Sequence, residues 1–173
     1  MSGFRDAIAE NRFSLFAQEI RELGPHPGPQ RHYEILLRMR DEHGAIIEPA
    51  QFVPAAERYG LMIDLDRWVV GTLLRDYIGA LRATPDIAPS VNLSANSLSD
   101  PRLWPFLRDE LRRATLAPGR LSLEITYTAL ICRGHARLWN WCGRWASTRQ
   151  GYAIAMPRAL SEVFALPVGH SGA

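Results

Sequence analysis

Lysine is absent from this chain: all twenty basic residues among its 173 are arginine. No step that needs a lysine amine can be carried by these residues. Cysteine is nearly absent too. Cys132 and Cys142 are too few and too far apart for a zinc motif, and in a reducing compartment they stay thiols. The five histidines form no i, i+4 pair of the metalloprotease kind, which favours packing or solvated roles over ligation. No apolar run approaches the roughly 18 residues of a membrane-spanning helix. The opening MSGFRDAIAENR also lacks the apolar segment of a signal peptide. The expected location is the cytoplasm, with no membrane segment in this chain. Neither sign of charge is in excess: a formal net charge of +2 argues neither for nor against nucleic acid, and no nucleic-acid partner is expected.

What is present is apolar residue in quantity, 47% of the chain, enough at this length for one core, so a single domain or part of one is expected. Its pattern alternates strand and helix. FSLFAQEI reads as a first strand, ELGPHPGPQ as a loop punctuated by proline and glycine, YEILLRM as a second strand and DEHG as a turn. Pro49 opens a short helix. Leu61, Leu65, Trp68, Val69, Leu73, Tyr77 and Leu81 recur mostly at three and four, which predicts one long amphipathic helix over 61–81. SVNL predicts a third strand. Asp100 and Pro101 read as N-cap and first-turn proline of a helix whose apolar side carries Leu103, Phe106, Leu107 and Leu111. LSLEI predicts a fourth strand. Such alternation predicts an α/β fold of βα units around a parallel sheet, doubly wound or closed into a barrel.

Within this pattern YEILLRMR, Tyr33 to Arg40, stands out because Glu34 interrupts an apolar strand, with Arg38 four residues on. A carboxylate buried there is costly unless it is paired or holds a metal. APSVNLS puts Asn92, and RLSLEIT puts Glu124, at the end of further apolar runs. Three hard oxygen donors, each closing a strand, are what a Mg2+-type site takes.

The order and spacing of several pieces carry a resemblance: QEI at Gln18–Ile20, EIL at Glu34–Leu36 with Arg38, EPAQFVPAAERYGLM at Glu48–Met62, DRWV at Asp66–Val69, VNLSANSL at Val91–Leu98, and LSLEIT at Leu121–Thr126 continuing into TALI. Over roughly its first 131 positions the chain resembles the EAL domain, the cyclic di-GMP phosphodiesterase domain of bacterial signalling. The resemblance implies a (β/α)8 TIM-type barrel with its site at the C-terminal ends of the strands, of which residues 1–131 would supply about the N-terminal half. It implies Glu34, Asn92 and Glu124 as ligands to Mg2+ or Mn2+, Gln18 and Arg38 as contacts to the cyclic dinucleotide, and Glu57 and Asp66 as supporting residues on the substrate side. Read without it, Gln18, Glu57 and Asp66 are equally well surface or capping residues. Arg38 suits a phosphate because its planar fork donates two parallel hydrogen bonds. Half a barrel leaves sheet edges open, so a homodimer or docking on a regulatory module is expected.

The chain also departs from the family. Where a second glutamate follows the acidic strand, Tyr127 stands here, and a phenol of pKa about 10 carries no charge at pH 7. Beyond Ile131 the motif resemblance stops: an Asp-Asp-Phe-Gly run, a lysine near the attacking water and a later glutamate and glutamine are missing, and Glu162 is the only acid. The balance shifts from 15 arginines against 17 acids over residues 1–127 to 5 against 1 over 128–173, and Trp139, Trp141 and Trp145 fall within seven positions. One reading of residues 132–173 is a basic, aromatic face for RNA or a partner. The other is an irregular, frameshifted tail from a GC-rich gene, favoured by the abrupt break after TALI. The expected function is cyclic di-GMP signalling by a homologue of metal-dependent phosphodiesterases, with weak metal binding and little or no hydrolysis. A non-catalytic cyclic di-GMP effector and a non-functional remnant are the alternatives.

Overall fold

The computed structural model describes residues 7, 8, 10, 12–22, 30–125, 151–153 and 156–164. In chain order they form β1 (Phe13–Glu22), β2 (Arg31–Arg40), β3 (Ile46–Ile47), α1 (Pro49–Arg58), α2 (Met62–Asp76), α3 (Ile78–Ala83), β4 (Ile87–Leu93), α4 (Ala95–Leu98), α5 (Leu103–Ala114), β5 (Ser122–Ile125), β6 (Gly151–Ala153), β7 (Arg158–Ala159) and α6 (Leu160–Val163). One sheet runs in the order β5-β4-β2-β1-β6, with β3 added to β2 and β7 to β1. No helix among the described residues is long and apolar enough to cross a membrane.

The expected parallel sheet is mixed. β2 pairs parallel with β4, and β4 with β5, but β1 and β2 are antiparallel. The reason is the connection: only residues 23–30 separate β1 from β2, too few for the dozen or more that a parallel crossover needs. Alternation then sorts the side chains. Leu15 and Ala17, Tyr33 and Ile35, and Val91 and Leu93 turn to one face, where they bury against Val70, Leu73 and Leu74 of α2 and Leu103 and Leu107 of α5. Each large aliphatic side chain taken from water there contributes about 1.5–3 kcal/mol.

The helix expected over 61–81 breaks in two at Tyr77, which leaves helical geometry at φ −104° and ψ 3°. Its ring, 6.1 Å from that of Phe164, packs on the core, and docking an aromatic of that size outweighs one more helical hydrogen bond. The helix after Asp100 begins later than the N-cap reading places it, at Leu103, because Asp100 serves a preceding turn: its carboxylate accepts from the Arg102 N–H at 2.8 Å and pairs with the Arg102 guanidinium. Leu111, expected in the apolar stripe, is exposed, while its neighbour Glu110 is 1% exposed. That buried carboxylate accepts from Arg75 of α2 at 3.1 and 2.5 Å and from Arg113 of its own helix at 2.8 Å, so an ionic pair joins α2 to α5 beside the packed leucines of the core.

Two arginines tie the turns beneath the sheet. Arg120 Nη2 donates to the carbonyls of Leu81, Thr84 and Ile87 at 2.5, 2.9 and 3.3 Å, and Arg82 Nη2 donates to Ala114 O and Thr115 Oγ1, both at 2.6 Å. Part of the tail departs from the irregular expectation. β6 and β7 pair antiparallel with β1, and Leu160 is 1% exposed in the main core. The second edge of β1 offers unpaired backbone groups that such segments satisfy. Residues 126–150, with Tyr127, both cysteines and the tryptophan cluster, lie outside the described residues.

Candidate functional site

Gln18, Glu34, Asn92 and Glu124 come from four adjacent strands and share the sheet face opposite the helices. Gln18 stands across from Glu34 in the β1–β2 register, Glu34 across from Ser90 in β2–β4, and Asn92 across from Glu124 in β4–β5. Asn92 Nδ2 donates to Glu34 Oε1 at 2.7 Å. Asn92 and Glu124 are exposed and Glu34 is half-buried. Enclosure of Glu34 in an apolar strand, expected from its neighbours, is therefore corrected: Tyr33 and Ile35 turn to the opposite face and leave the carboxylate on the open one. Glu34 does not close its strand either, being the fourth of ten residues of β2. It does lie at the C-terminal end of the parallel ladder, which stops at Ile35, after which β2 continues against β1 and β3.

Arg38 lies on the same strand and face as Glu34, 11% exposed in its side chain, with its guanidinium 5.7 Å over the Phe16 ring. It is not idle. Nη1 donates to Leu37 O at 3.0 Å, and Nε pairs with Glu48 Oε2 at 3.2 Å. Sequence reading passed over Glu48; the signal was an acid directly before the Pro49 that opens α1.

The two residues expected in support on the substrate side lie elsewhere. Glu57 is exposed near the end of α1, and none of the described hydrogen bonds or ion pairs joins its side chain to the group. Asp66, on α2, is 6% exposed, enclosed below the sheet rather than on its open face. Its Oδ2 accepts from the Ser94 N–H at 2.8 Å, and the hydroxyls of Ser97 and Ser94 also reach it. Burial raises its pKa above the ordinary carboxylate value, opposed by those donors. A carboxylate so occupied is not available to a ligand on the open face, a placement that DRWV as a motif does not convey.

The chemistry of the donor set fits one hard cation. Glu34 and Glu124 supply carboxylate oxygens and Asn92 an amide oxygen, the types Mg2+ and Ca2+ take. Among the described residues no group of three or more His, Cys, Asp or Glu gathers that could hold an ion without the amide. Most of the coordination would fall to water.

A family model described as the EAL domain matches residues 2–161. The chain belongs to the EAL domain family. The match runs past Ile131, where the motif resemblance stops, and takes in β6, β7 and the start of α6. Among curated relatives, this EAL chain is 34% identical over 129 residues to the cyclic di-GMP phosphodiesterase PdeB of Shewanella oneidensis, covering 75% of this chain and 15% of that protein. It is 34% identical over 137 residues to the bifunctional diguanylate cyclase/cyclic di-GMP phosphodiesterase MucR of Pseudomonas aeruginosa, covering 78% and 19%. Its fold is similar to the FimX EAL domain from Pseudomonas aeruginosa bound to c-di-GMP, with a TM-score of 0.69 and 30% identity over 83% of this chain and 57% of that one. The PaMucR phosphodiesterase in its c-di-GMP complex gives 0.70 and 27% over the same shares. The EAL chain thus spans less than a fifth of those curated relatives and little over half of the solved domains, and its α/β architecture is a partial barrel of that type.

Proposed function

We propose that this EAL chain binds cyclic di-GMP on the open face of its sheet and does not hydrolyse it unaided. The observation that carries the reading is the convergence of Gln18, Glu34, Asn92 and Glu124 on one face, with Arg38 further along it. Arg38 offers a guanidinium to a phosphate and Glu34, Asn92 and Glu124 hold a Mg2+ or Mn2+ ion weakly, while Gln18 reaches the ligand from β1. Glu57 and Asp66 support the site from outside it. Names of relatives favour hydrolysis, and the residue inventory weighs against it. Phosphodiester attack by a two-ion centre needs a second set of ligands to clamp both attacking and leaving oxygens. Here Tyr127 stands for a carboxylate, the acidic run is missing and no lysine exists in the chain.

Titration calorimetry with cyclic di-GMP, with and without Mg2+, tests binding, and absence of a heat of binding at millimolar protein and ligand overturns the proposal in favour of a remnant. Turnover is assayed separately by chromatography of the linear dinucleotide, with no product expected in Mg2+ or Mn2+. Steady product that disappears in Glu34→Ala would instead establish an active phosphodiesterase.

A further inference from the structure

One buried carboxylate, Asp66, shares none of the described hydrogen bonds with the site residues it is proposed to support. Asp66 sits on α2, a helix whose other inward residues, Ile63, Val69, Val70 and Leu73, are apolar. Burial of a charge among them needs a return. All its described partners lie on one short segment: the Ser94 N–H at 2.8 Å and the hydroxyls of Ser94 and Ser97. Ser94 is the N-cap of α4, its Oγ accepting from the Ser97 N–H at 3.1 Å and lying 2.8 Å from Ser97 Oγ. This segment is where β4 ends, two residues after Asn92. Ser97 is fully buried and Asp66 6% exposed, while Ser94 is half-buried.

We infer that Asp66 is a positioning residue that fixes the exit of β4, and through it the Asn92 amide beside Glu34, rather than a contact to the bound nucleotide. Without the carboxylate the Ser94 N–H faces an apolar helix unpaired, and the chain after Leu93 has no anchor that holds its direction. Asn92 Nδ2 then loses its fixed 2.7 Å approach to Glu34 Oε1. The consequence for ligand affinity rests on the proposed cyclic di-GMP site; the consequence for Asn92 does not.

Three variants separate the possibilities. Asp66→Asn keeps an acceptor for the Ser94 N–H and removes the charge; Asp66→Ala removes both. Phe52→Ala, in the separate apolar cluster that α1 forms with Phe13, Met62 and Leu65, is a destabilising control whose described packing includes no residue of β4 or α4. The dissociation constant of cyclic di-GMP is expected to rise about tenfold in Asp66→Ala, where Asn92 is no longer held beside Glu34. It should stay within about threefold of the parent in Asp66→Asn and be unchanged in Phe52→Ala. The Asn92 side-chain amide resonance, read in the ligand-free chain, should move in Asp66→Ala and hold still in Phe52→Ala. Should Asp66→Ala fail to fold, Asp66→Glu, which displaces the carboxylate by one methylene, makes the same comparison. A chain that binds no dinucleotide while Asn92 still responds overturns the functional reading alone. An unmoved Asn92 resonance in Asp66→Ala, or a loss of affinity in Asp66→Asn as large as in Asp66→Ala, overturns the positioning role.

Discussion

Arg38 already holds an anion, and that anion is Glu48. The pair joins a nearly enclosed guanidinium to a carboxylate 59% exposed, so any phosphate arriving at Arg38 competes with Glu48 for the same donors. Glu48→Gln should therefore tighten cyclic di-GMP, by up to about fivefold given the modest worth of exposed ion pairs. Calorimetry decides it, and weaker binding by the variant would make Glu48 an organiser of Arg38 instead of its competitor. Arg120 gives a second single-residue forecast. Three backbone carbonyls rely on its Nη2, so Arg120→Ala should cost about 1–3 kcal/mol in urea unfolding. Arg120→Lys should recover only part, since an ammonium cannot reproduce the fork. Much of the candidate trio was legible at this scale, because Asn92 and Glu124 end short apolar runs. The exposure of Glu34 was less so: seven letters of strand do not say which face a sheet turns to solvent. The pairing of Glu48 and the burial of Asp66 were not legible, for a common reason. Their partners lie 10 and 28 positions away, and no local pattern marks such pairings.

At the scale of the element, the turn before α5 sets an acid response. Asp100 is held at about 2 by the Arg102 guanidinium and N–H, below its ordinary 3.8. A depressed carboxylate contributes stability above its unfolded pKa and loses it as pH falls through the folded value. Unfolding midpoints should thus decline between about pH 4 and 2, and Asp100→Asn should flatten that decline. Asp66 acts in the opposite sense: its raised pKa means that protonation relieves a burial cost, so its contribution improves as pH falls. Thermal melts of parent and variant across pH 2–5 read the difference, and an equally steep fall in Asp100→Asn refutes it. Elements were readable where periodicity was clean, in β1, β2, α1, β4 and β5. Misreadings followed from tertiary contacts overruling local pattern. Tyr77 fits the helical stripe by spacing yet breaks it to reach Phe164, and Glu110 takes the buried position that Leu111 fits by composition.

Across the whole molecule, the α/β class and the barrel relationship were legible because the pieces occur in the family's order. The antiparallel β1 was not, since strand alternation alone says nothing of direction; only the short 23–30 connection does. A frameshift origin for the residues after Ile131 predicts that the gene, read in another frame from the codon of Cys132, encodes a strand ending in Asp-Asp-Phe-Gly and, further on, a lysine. Sequencing the locus checks it. If neither alternative frame does so, the segment is an ending selected for its own contacts with β1. Those contacts bear on how the protein is made. Ile20 pairs with Ala153 and Phe16 with Ala159, so strands more than 130 residues apart in the chain meet at one edge of β1. During synthesis β1 can hairpin with β2 within moments, but its other edge must wait until residues 151–159 have been added. In that interval the nascent protein carries an open strand edge, the kind of surface on which neighbouring polypeptides join. The yield of soluble chain in a cell is thus tied to elongation speed and to whatever shelters that edge until residue 159 arrives.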